Sequence, residues 1–405
     1  MTYCFNPMNA RQFQSDAPGR LVRTVGYEPM LRGGVPENVA VESLAFVPNP
    51  LPPSLSDSER GRLLDDVVAA QTELIRLEGL LIRMPDPNIL LGPMQKREAS
   101  YSAKIENTTA SVREIAIAEA DQPPPRPEVL EVRNHLHAFQ HGIRSKLPLS
   151  LRLMREMHEI LLSGVDERKQ PGKFRPGQVH IHGTQRGLAH ARFVPPPSGK
   201  ELNGCLDAFE RYLNRDRGQW LSLPIDLAMA HYQFECIHPF MDGNGRIGRL
   251  LIPLLGLKRG QMKLALPNVS RFLEHNRGEY CDHLLRVSTH GEWVPWIRFF
   301  CRAIVDDCRA DEERAVQLVH LLRKYRELVT SKRTSILMGR LVDLLFIRPA
   351  VTTSIVCREL GVTAPAAQKH IDRLARAGII REITGNNYGR VWLAEELVRA
   401  IEVGD

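Results

Sequence analysis

From Glu59 to Arg83 the apolar residues of LLDDVVAAQTELIRLEGLLIR recur every three or four positions, as one face of a helix requires, and MPDPN then breaks the pattern. A helix is therefore expected to start at the Ser-rich stretch before Glu59. A second helical stretch covers about 94–120 and is stopped by QPPPRP at 122–127. Between Glu128 and about Ile304 the pattern is again mostly helical, with one exception. QVHIHGTQRGLAHARFV at 178–194 reads as two short extended arms around a Gly-containing turn, followed by Pro195, Pro196 and Pro197. An isolated hairpin on a helical body is expected to serve as a lid.

Residues 305–332 predict a long charged helix that links rather than packs on all sides. After it SILMGRLVDLLFIRP, TTSIVCRELG and APAAQKHIDRLARAG give three helices, and IIREITGNNYGRVWLA gives two strands about a Gly/Asn turn. Helix, helix-turn-helix and β-wing is the winged-helix order. Residues 1–55, rich in Pro, Gly and polar residues, read as an arm or irregular lead-in. The expected architecture is mainly α: an arm at 1–55, helices at 56–125, a helical core with a β-hairpin flap at 126–304, a linker helix at 305–333, and a small α/β winged-helix domain at 334–405.

Composition narrows this only a little. A chain of 405 residues suits two or three domains. Its seven cysteines are scattered without a CxxC pair, which argues against a disulfide framework or zinc site and for a reducing cytoplasm. MTYCFNPMNARQF does not read as a signal peptide, and LLIPLLGL at 250–257 is too short to span a bilayer, so no membrane partner is expected. A net charge of +7 permits attraction to nucleic acid or nucleotide without establishing it.

The chemistry concentrates in HPFMDGNGRIGR, His238 to Arg249. Gly243 and Gly245 allow a tight turn feeding a helix that begins near Ile247, and such a turn is an anion site. Arg246 and Arg249 lie three apart on one helical face, within reach of successive phosphates. Asp242 offers a hard oxygen to Mg²⁺, and His238 can accept a proton near neutral pH. GNGRIG also satisfies GxGxxG, but a dinucleotide site needs a strand before it and an acid about 20 residues later. The preceding IDLAMAHYQFECI is helix-like and LKRGQMKLALPN carries no acid. A P-loop is excluded, since GxxxxGK[ST] does not occur.

HPFMDGNGRIGR resembles in full the Fic motif HxFx(D/E)GNGRxxR, and the likeness extends to GPMQKREASYSAKIEN, KFRPGQVHI, FVPPP and WVPWIRFF, over about 60–305. The resemblance implies a protein adenylyltransferase, moving AMP from Mg-ATP (or Mn-ATP) to a Ser, Thr or Tyr hydroxyl of a target protein or of itself. By the same resemblance His238 deprotonates the hydroxyl and Asp242 holds the metal. Gly243 to Gly245 bind the α and β phosphates through their amides, with Asn244 on the α phosphate and Arg246 on the β, and Phe240 anchors the loop. Gly248, Arg249, Ala191, Arg192, Phe193 and Tyr280 complete the implied nucleotide contacts. Retention of both glycines favours AMP transfer over the phosphate transfer of a relative with a bulkier loop. The hairpin would align the target chain by strand addition. Its His180, His182 and His190, and the pair His137 and His141, leave a metal site as an alternative.

Ser102, Glu106 and Asn107 match the family's inhibitory motif (S/T)xxxE(G/N), which implies a brake in which Glu106 pairs with Arg249 and displaces the γ phosphate. The same Glu in some relatives supports removal of AMP. Lys369, His370, Arg373 and Arg376 on the expected recognition helix, with Arg381 and Arg390 at the wing, suit DNA phosphates, against the alternative of a protein-binding module. Two functional classes follow: a regulated AMP transferase, or a DNA-binding regulator whose Fic core senses nucleotide. Many such proteins form dimers, so a homodimer is one alternative, and the sequence leaves the oligomeric state open.

Overall fold

The computed structural model describes residues 8–32, 35–120, 126–182, 187–329, 336–385 and 388–402, with backbone alone for 28–32, 35–37 and 182. Its first elements are β1 (Gly19–Arg32) and β2 (Val35–Pro48), a fully paired antiparallel ladder running from Gly19 opposite Pro48 to Arg32 opposite Val35. This corrects the irregular lead-in. The sequence between Leu21 and Val47 is rich in Val, Leu, Thr, Tyr and Phe, and those β-formers outweigh the scattered Pro and Gly.

Then follow α1 (Asp57–Leu81), α2 (Asn88–Ile105), α3 (Val112–Glu119), α4 (Pro127–Arg144), α5 (Leu151–Leu162), β3 (Ile181–His182), β4 (Ala191–Phe193), α6 (Lys200–Leu213), α7 (Leu223–Ile237), α8 (Asn244–Lys258), α9 (Ser270–His275) and α10 (Arg277–His290). The chain ends with α11 (Trp293–Val329), α12 (Ile336–Ile347), β5 (Ala350–Val351), α13 (Thr353–Leu360), α14 (Ala364–Arg376), β6 (Arg381–Glu382), β7 (Trp392–Leu393) and α15 (Glu395–Glu402). The start expected for α1 is sealed by a reciprocal cap: Ser56 Oγ accepts from the Glu59 amide, and Glu59 accepts from the Ser56 amide at 2.8 Å.

The chain divides into two compact units, one of residues 1–72, 138–267 and 275–305, the other of 73–137, 268–274 and 306–405. In the first, α7 is buried on nearly every side, with α6, α8 and α10 packed on it. A charge survives in that core because it is fully paired: Asp226 accepts from Arg215 and the Tyr212 hydroxyl at Oδ1 and from Arg259 at Oδ2. The second unit packs α2, α3 and the start of α4 around Ala99, Ala103, Ala110, Ile115 and Val132, all buried.

Two sequence expectations change here. The stretch over 94–120 is two helices, divided at 106–111, because Ser111 caps α3 in a reciprocal box with Glu114. The charged stretch is no bare linker: α11 is one helix of 37 residues, and its Asp307 and Asp311 are buried against Arg271, Arg97 and Asn268. The winged-helix order is present, with an antiparallel sheet ordered β5-β7-β6, and β5 and α15 are additions to it. The QPPPRP breaker lies mostly outside the described residues.

Candidate functional site

His238 terminates α7. It adopts the left-handed conformation, φ 50° and ψ 62°, that a helix C-cap usually reserves for glycine, and its amide closes the helix onto Phe234 O at 2.9 Å. Its Nδ1 lies 3.3 Å from Glu235 O. A carbonyl only accepts, so Nδ1 carries the hydrogen, and in the neutral ring the lone pair is on Nε2, the form a general base needs.

The loop after it is held from inside. Phe240, fully buried, stacks on the His158 ring with centroids 3.8 Å apart and planes 7° off parallel. His158 Nε2 donates to Asp242 O at 3.0 Å while its Nδ1 accepts from the Gly172 amide at 2.9 Å. Burial pushes the His158 pKa down to about 4, so at neutral pH it is an uncharged brace. Nothing in its spacing within LRLMREMHEILL marked it out. Asn244 staples the same loop: its Oδ1 accepts from Phe240 N at 2.8 Å and its Nδ2 donates to Phe240 O at 2.9 Å. Asn244 thereby shapes the loop through the backbone of Phe240.

Gly243 is the N-cap of α8, in the left-handed region at φ 76°. The first intrahelical donor of α8 is Ile247, which reaches Gly243 O at 3.0 Å, so the amides of Asn244, Gly245 and Arg246 precede the helix's own hydrogen bonds. The Gly243 amide instead donates to Asp242 Oδ1 at 2.6 Å. Asp242 Oδ2 meets the Lys169 ammonium at 2.5 Å, and Arg246 stands 3.8 Å from Oδ1. Burial raises the Asp242 pKa, but Lys169, Arg246 and the Gly243 amide outweigh it and hold the carboxyl below its usual range. An ionised, half-exposed carboxylate beside an anion cradle fits Mg²⁺, which takes one or two carboxylates and completes its shell with phosphate oxygens and water. Among the described residues no group of three or more His, Cys, Asp or Glu side chains is arranged to hold a metal. His141 instead pairs with Glu156 at 3.0 Å.

A histidine, a carboxylate and a helix N-terminus thus meet on one braced loop between α7 and α8. Residues 148–255 match the Fic/DOC family, residues 64–144 match the Fic/DOC family N-terminal region, and residues 338–393 match an HTH DNA binding domain. The chain carries a Fic domain. Over 172 residues, 42% of this chain, it is 32% identical to the "Protein adenylyltransferase Fic" of Drosophila yakuba and 33% identical to that of Drosophila grimshawi. The matches span 31% and 32% of those relatives' lengths. A crystal structure of a Fic family protein from Desulfovibrio desulfuricans G20 shares the fold, with a TM-score of 0.52 at 18% identity, covering 85% of this chain and 97% of that one.

The other residues that the resemblance implies at the nucleotide make these contacts within the protein. Gly248 lies in the α7–α8 contact, where a Cβ would fall 2.2 Å from Glu235 Oε1 and 3.0 Å from Phe234 Cδ1; its smallness serves helix packing. Tyr280 is buried, its hydroxyl 2.8 Å from His231 Nε2 and its ring beside Trp296. The side chains of Ala191 and Phe193 face the N-terminal hairpin, Ala191 against Leu188, Ala45 and Val194, and Phe193 beside Phe46 with centroids 5.9 Å apart. Arg192 pairs with Asp282. Arg246 and Arg249 are both buried on α8.

The flap is present as the antiparallel pair β3–β4, with Ile181 opposite Phe193; its tip at 183–186 is outside the described residues, as is the His182 side chain. What sequence reading missed is the flap's support. Thr24 Oγ1 donates to Gln178 Oε1 at 2.8 Å, Gln178 Nε2 donates to Pro195 O at 3.0 Å, and Phe46 N donates to Val194 O at 2.9 Å. The N-terminal hairpin buttresses the flap.

The inhibitory motif ends α2. Ser102 is fully buried in the helix, Glu106 is the C-cap, and Asn107 follows at φ 61°. Asn107 N donates to Lys104 O at 2.9 Å and Thr108 N to Ala103 O at 3.0 Å, the paired bonds of a Schellman stop. That stop explains why the motif accepts Gly or Asn after its Glu. In the terminal domain Lys369, Arg376, Arg381 and Arg390 are exposed, whereas Arg373 donates to Val329 O at 2.8 Å and His370 Nδ1 sits 3.1 Å from the Met338 sulfur. The basic face is therefore narrower than the sequence suggests. No helix among the described residues is long and apolar enough to cross a membrane.

Proposed function

We propose that this protein is a protein adenylyltransferase, transferring AMP from ATP to a Ser, Thr or Tyr hydroxyl of a target protein or of itself. The observation that carries the reading is the loop 238–246, where a histidine with its lone pair on Nε2 stands beside a helix terminus that presents amides to phosphate. His238 takes the proton of the attacking hydroxyl, which adds in line to the α phosphorus as pyrophosphate leaves. The α8 amides and Arg246 take the charge that develops on the phosphates, and positioning does most of the rest. Mg²⁺, held by Asp242 and phosphate oxygens, would supply further neutralisation of that charge.

In this reading Glu106, the acid of the inhibitory motif, is a brake that keeps ATP in an unproductive pose, and the flap aligns the target chain. Wild type, Glu106→Gly and Glu106→Gly/His238→Ala, incubated with Mg²⁺ and ATP labelled at the α phosphate, test base and brake together. Label on protein is expected with Glu106→Gly alone. No label in any of them, with ATP still bound, would overturn the reading.

A second reading is favoured by the match of residues 338–393 to an HTH DNA binding domain: a DNA-bound regulator whose Fic core senses nucleotide. A sensor needs phosphate donors but no base, so the retention of His238 in its base-competent tautomer supports the first.

A further inference from the structure

Arg175 sits just before the flap, buried to a residual exposure of 2%. Every hydrogen bond it makes ends on a backbone carbonyl. Its Nε donates to His238 O at 2.8 Å, one terminal nitrogen to Gly177 O at 3.1 Å, and the other to Pro196 O at 2.5 Å and Ile237 O at 3.5 Å. Its own amide donates to Pro239 O at 2.9 Å. One residue therefore gathers three consecutive carbonyls, 237 to 239, around the left-handed histidine, together with one carbonyl from each end of the flap.

A hydrophobic side chain would fill this space at lower desolvation cost than a buried cation. What arginine alone supplies is a rigid planar fork whose donors leave at fixed angles. Burial lowers its pKa to about 10, which leaves it charged at neutral pH. A strained non-glycine residue at φ 50° persists only where its surroundings over-determine it. Here the bonds to both sides of the His238 peptide do so.

We propose that Arg175 is a positioning residue that sets the flap and the His238 imidazole in one register, so that a target chain seated on the flap presents its hydroxyl to Nε2. The inference rests on the transferase reading and names how its two halves are aligned. Arg175 touches no reacting atom; it acts through the backbone of residues 237–239.

The test uses Arg175→Lys and Arg175→Ala in the Glu106→Gly background. Equilibrium ATP binding is expected to be retained while kcat falls roughly 100-fold, the scale of a misplaced catalytic group. Guanidinium ion added at sub-denaturing concentration restores part of the rate of Arg175→Ala and none of that of Glu106→Gly/His238→Ala, an effect that a general loss of stability would not give. The activity-independent readout is the His238 ring signals in histidine-labelled protein, which move in Arg175→Lys. Parental kcat together with unmoved His238 signals overturns the proposal, and so does loss of fold in both variants, which would make Arg175 a folding residue only. If Glu106→Gly itself fails to label while the His238 signals move, the positioning role stands and the transferase reading falls.

Discussion

A histidine in the left-handed region is a costly way to end a helix, and at position 238 the cost is met by its neighbours: Arg175 on the carbonyl side, Phe234 on the amide side. The same logic makes Gly243 irreplaceable. At φ 76° an added Cβ would stand 3.2 Å from Leu161 Cδ2, so Gly243→Ala combines backbone strain with a close contact. It should cost roughly 1–2 kcal/mol in urea unfolding and weaken ATP binding, because the α8 amides turn with it. His231 is the residue whose pH behaviour is most marked. Burial, helped by the charge of Arg249, pushes its pKa down to about 3. A histidine with a depressed folded pKa binds fewer protons folded than unfolded, so its contribution is intact above about 6.5 and is lost as pH falls toward 3. Within that window one such group removes at most about 1.4 kcal/mol per pH unit. His231→Gln keeps a partner for the Tyr280 hydroxyl and does not titrate. Its urea midpoint should therefore fall less between pH 7 and pH 5 than that of the wild type.

At the scale of elements, Asn107 is the C′ residue of α2, and its φ of 61° is what the Schellman stop demands. If Glu106 is the proposed brake, Asn107→Gly should leave stability and basal labelling unchanged, whereas Asn107→Ala should cost about 1 kcal/mol and raise basal labelling, because Glu106 is then less firmly oriented. Equal basal labelling of the two variants would detach the brake from the helix stop. The same position shows what a sequence gives away and what it hides. HPFMDGNGRIGR declared its proposed chemistry because its histidine, carboxylate and glycine turn are consecutive on one loop. The end of α2 was missed although Ser111 and Glu114 wrote a capping box into SVRE. Long-range partners left no such mark: His158 reaches Asp242 across 84 positions, and Thr24 reaches Gln178 across 154. The N-terminal hairpin was hidden because its β-formers are interrupted by Pro, Gly and acidic residues that a local reading assigns to loops. The packing of Gly248 against Glu235 and of Tyr280 against His231 was equally hidden, because a motif fixes residue types and not their long-range neighbours.

For the whole molecule the question is whether the terminal domain and the Fic core do separable work. Helix α14 carries its basic residues unequally: Lys369 and Arg376 face solvent with Arg381 and Arg390 of the wing, while Arg373 holds the end of α11 through Val329 O. Cations that face solvent can release counterions from a nucleic acid duplex; Arg373, partly buried with its guanidinium on the carbonyl of another helix, contributes to folding instead. Arg376→Ala/Arg390→Ala should therefore weaken binding to a generic DNA duplex and reduce the slope of log affinity against log salt by about 2, roughly one for each phosphate that is no longer neutralised. Arg373→Ala should leave that slope unchanged and lower the unfolding midpoint. Labelling by the Glu106→Gly protein should survive Arg376→Ala/Arg390→Ala in full, since neither residue belongs to the loop that holds His238. If the salt slope of the double variant equals that of the parent, the exposed cations do not meet phosphate and the domain is a protein-binding module. If labelling falls with DNA affinity, nucleic acid binding and AMP transfer are coupled, and the sensor reading gains what the separable-domain reading loses.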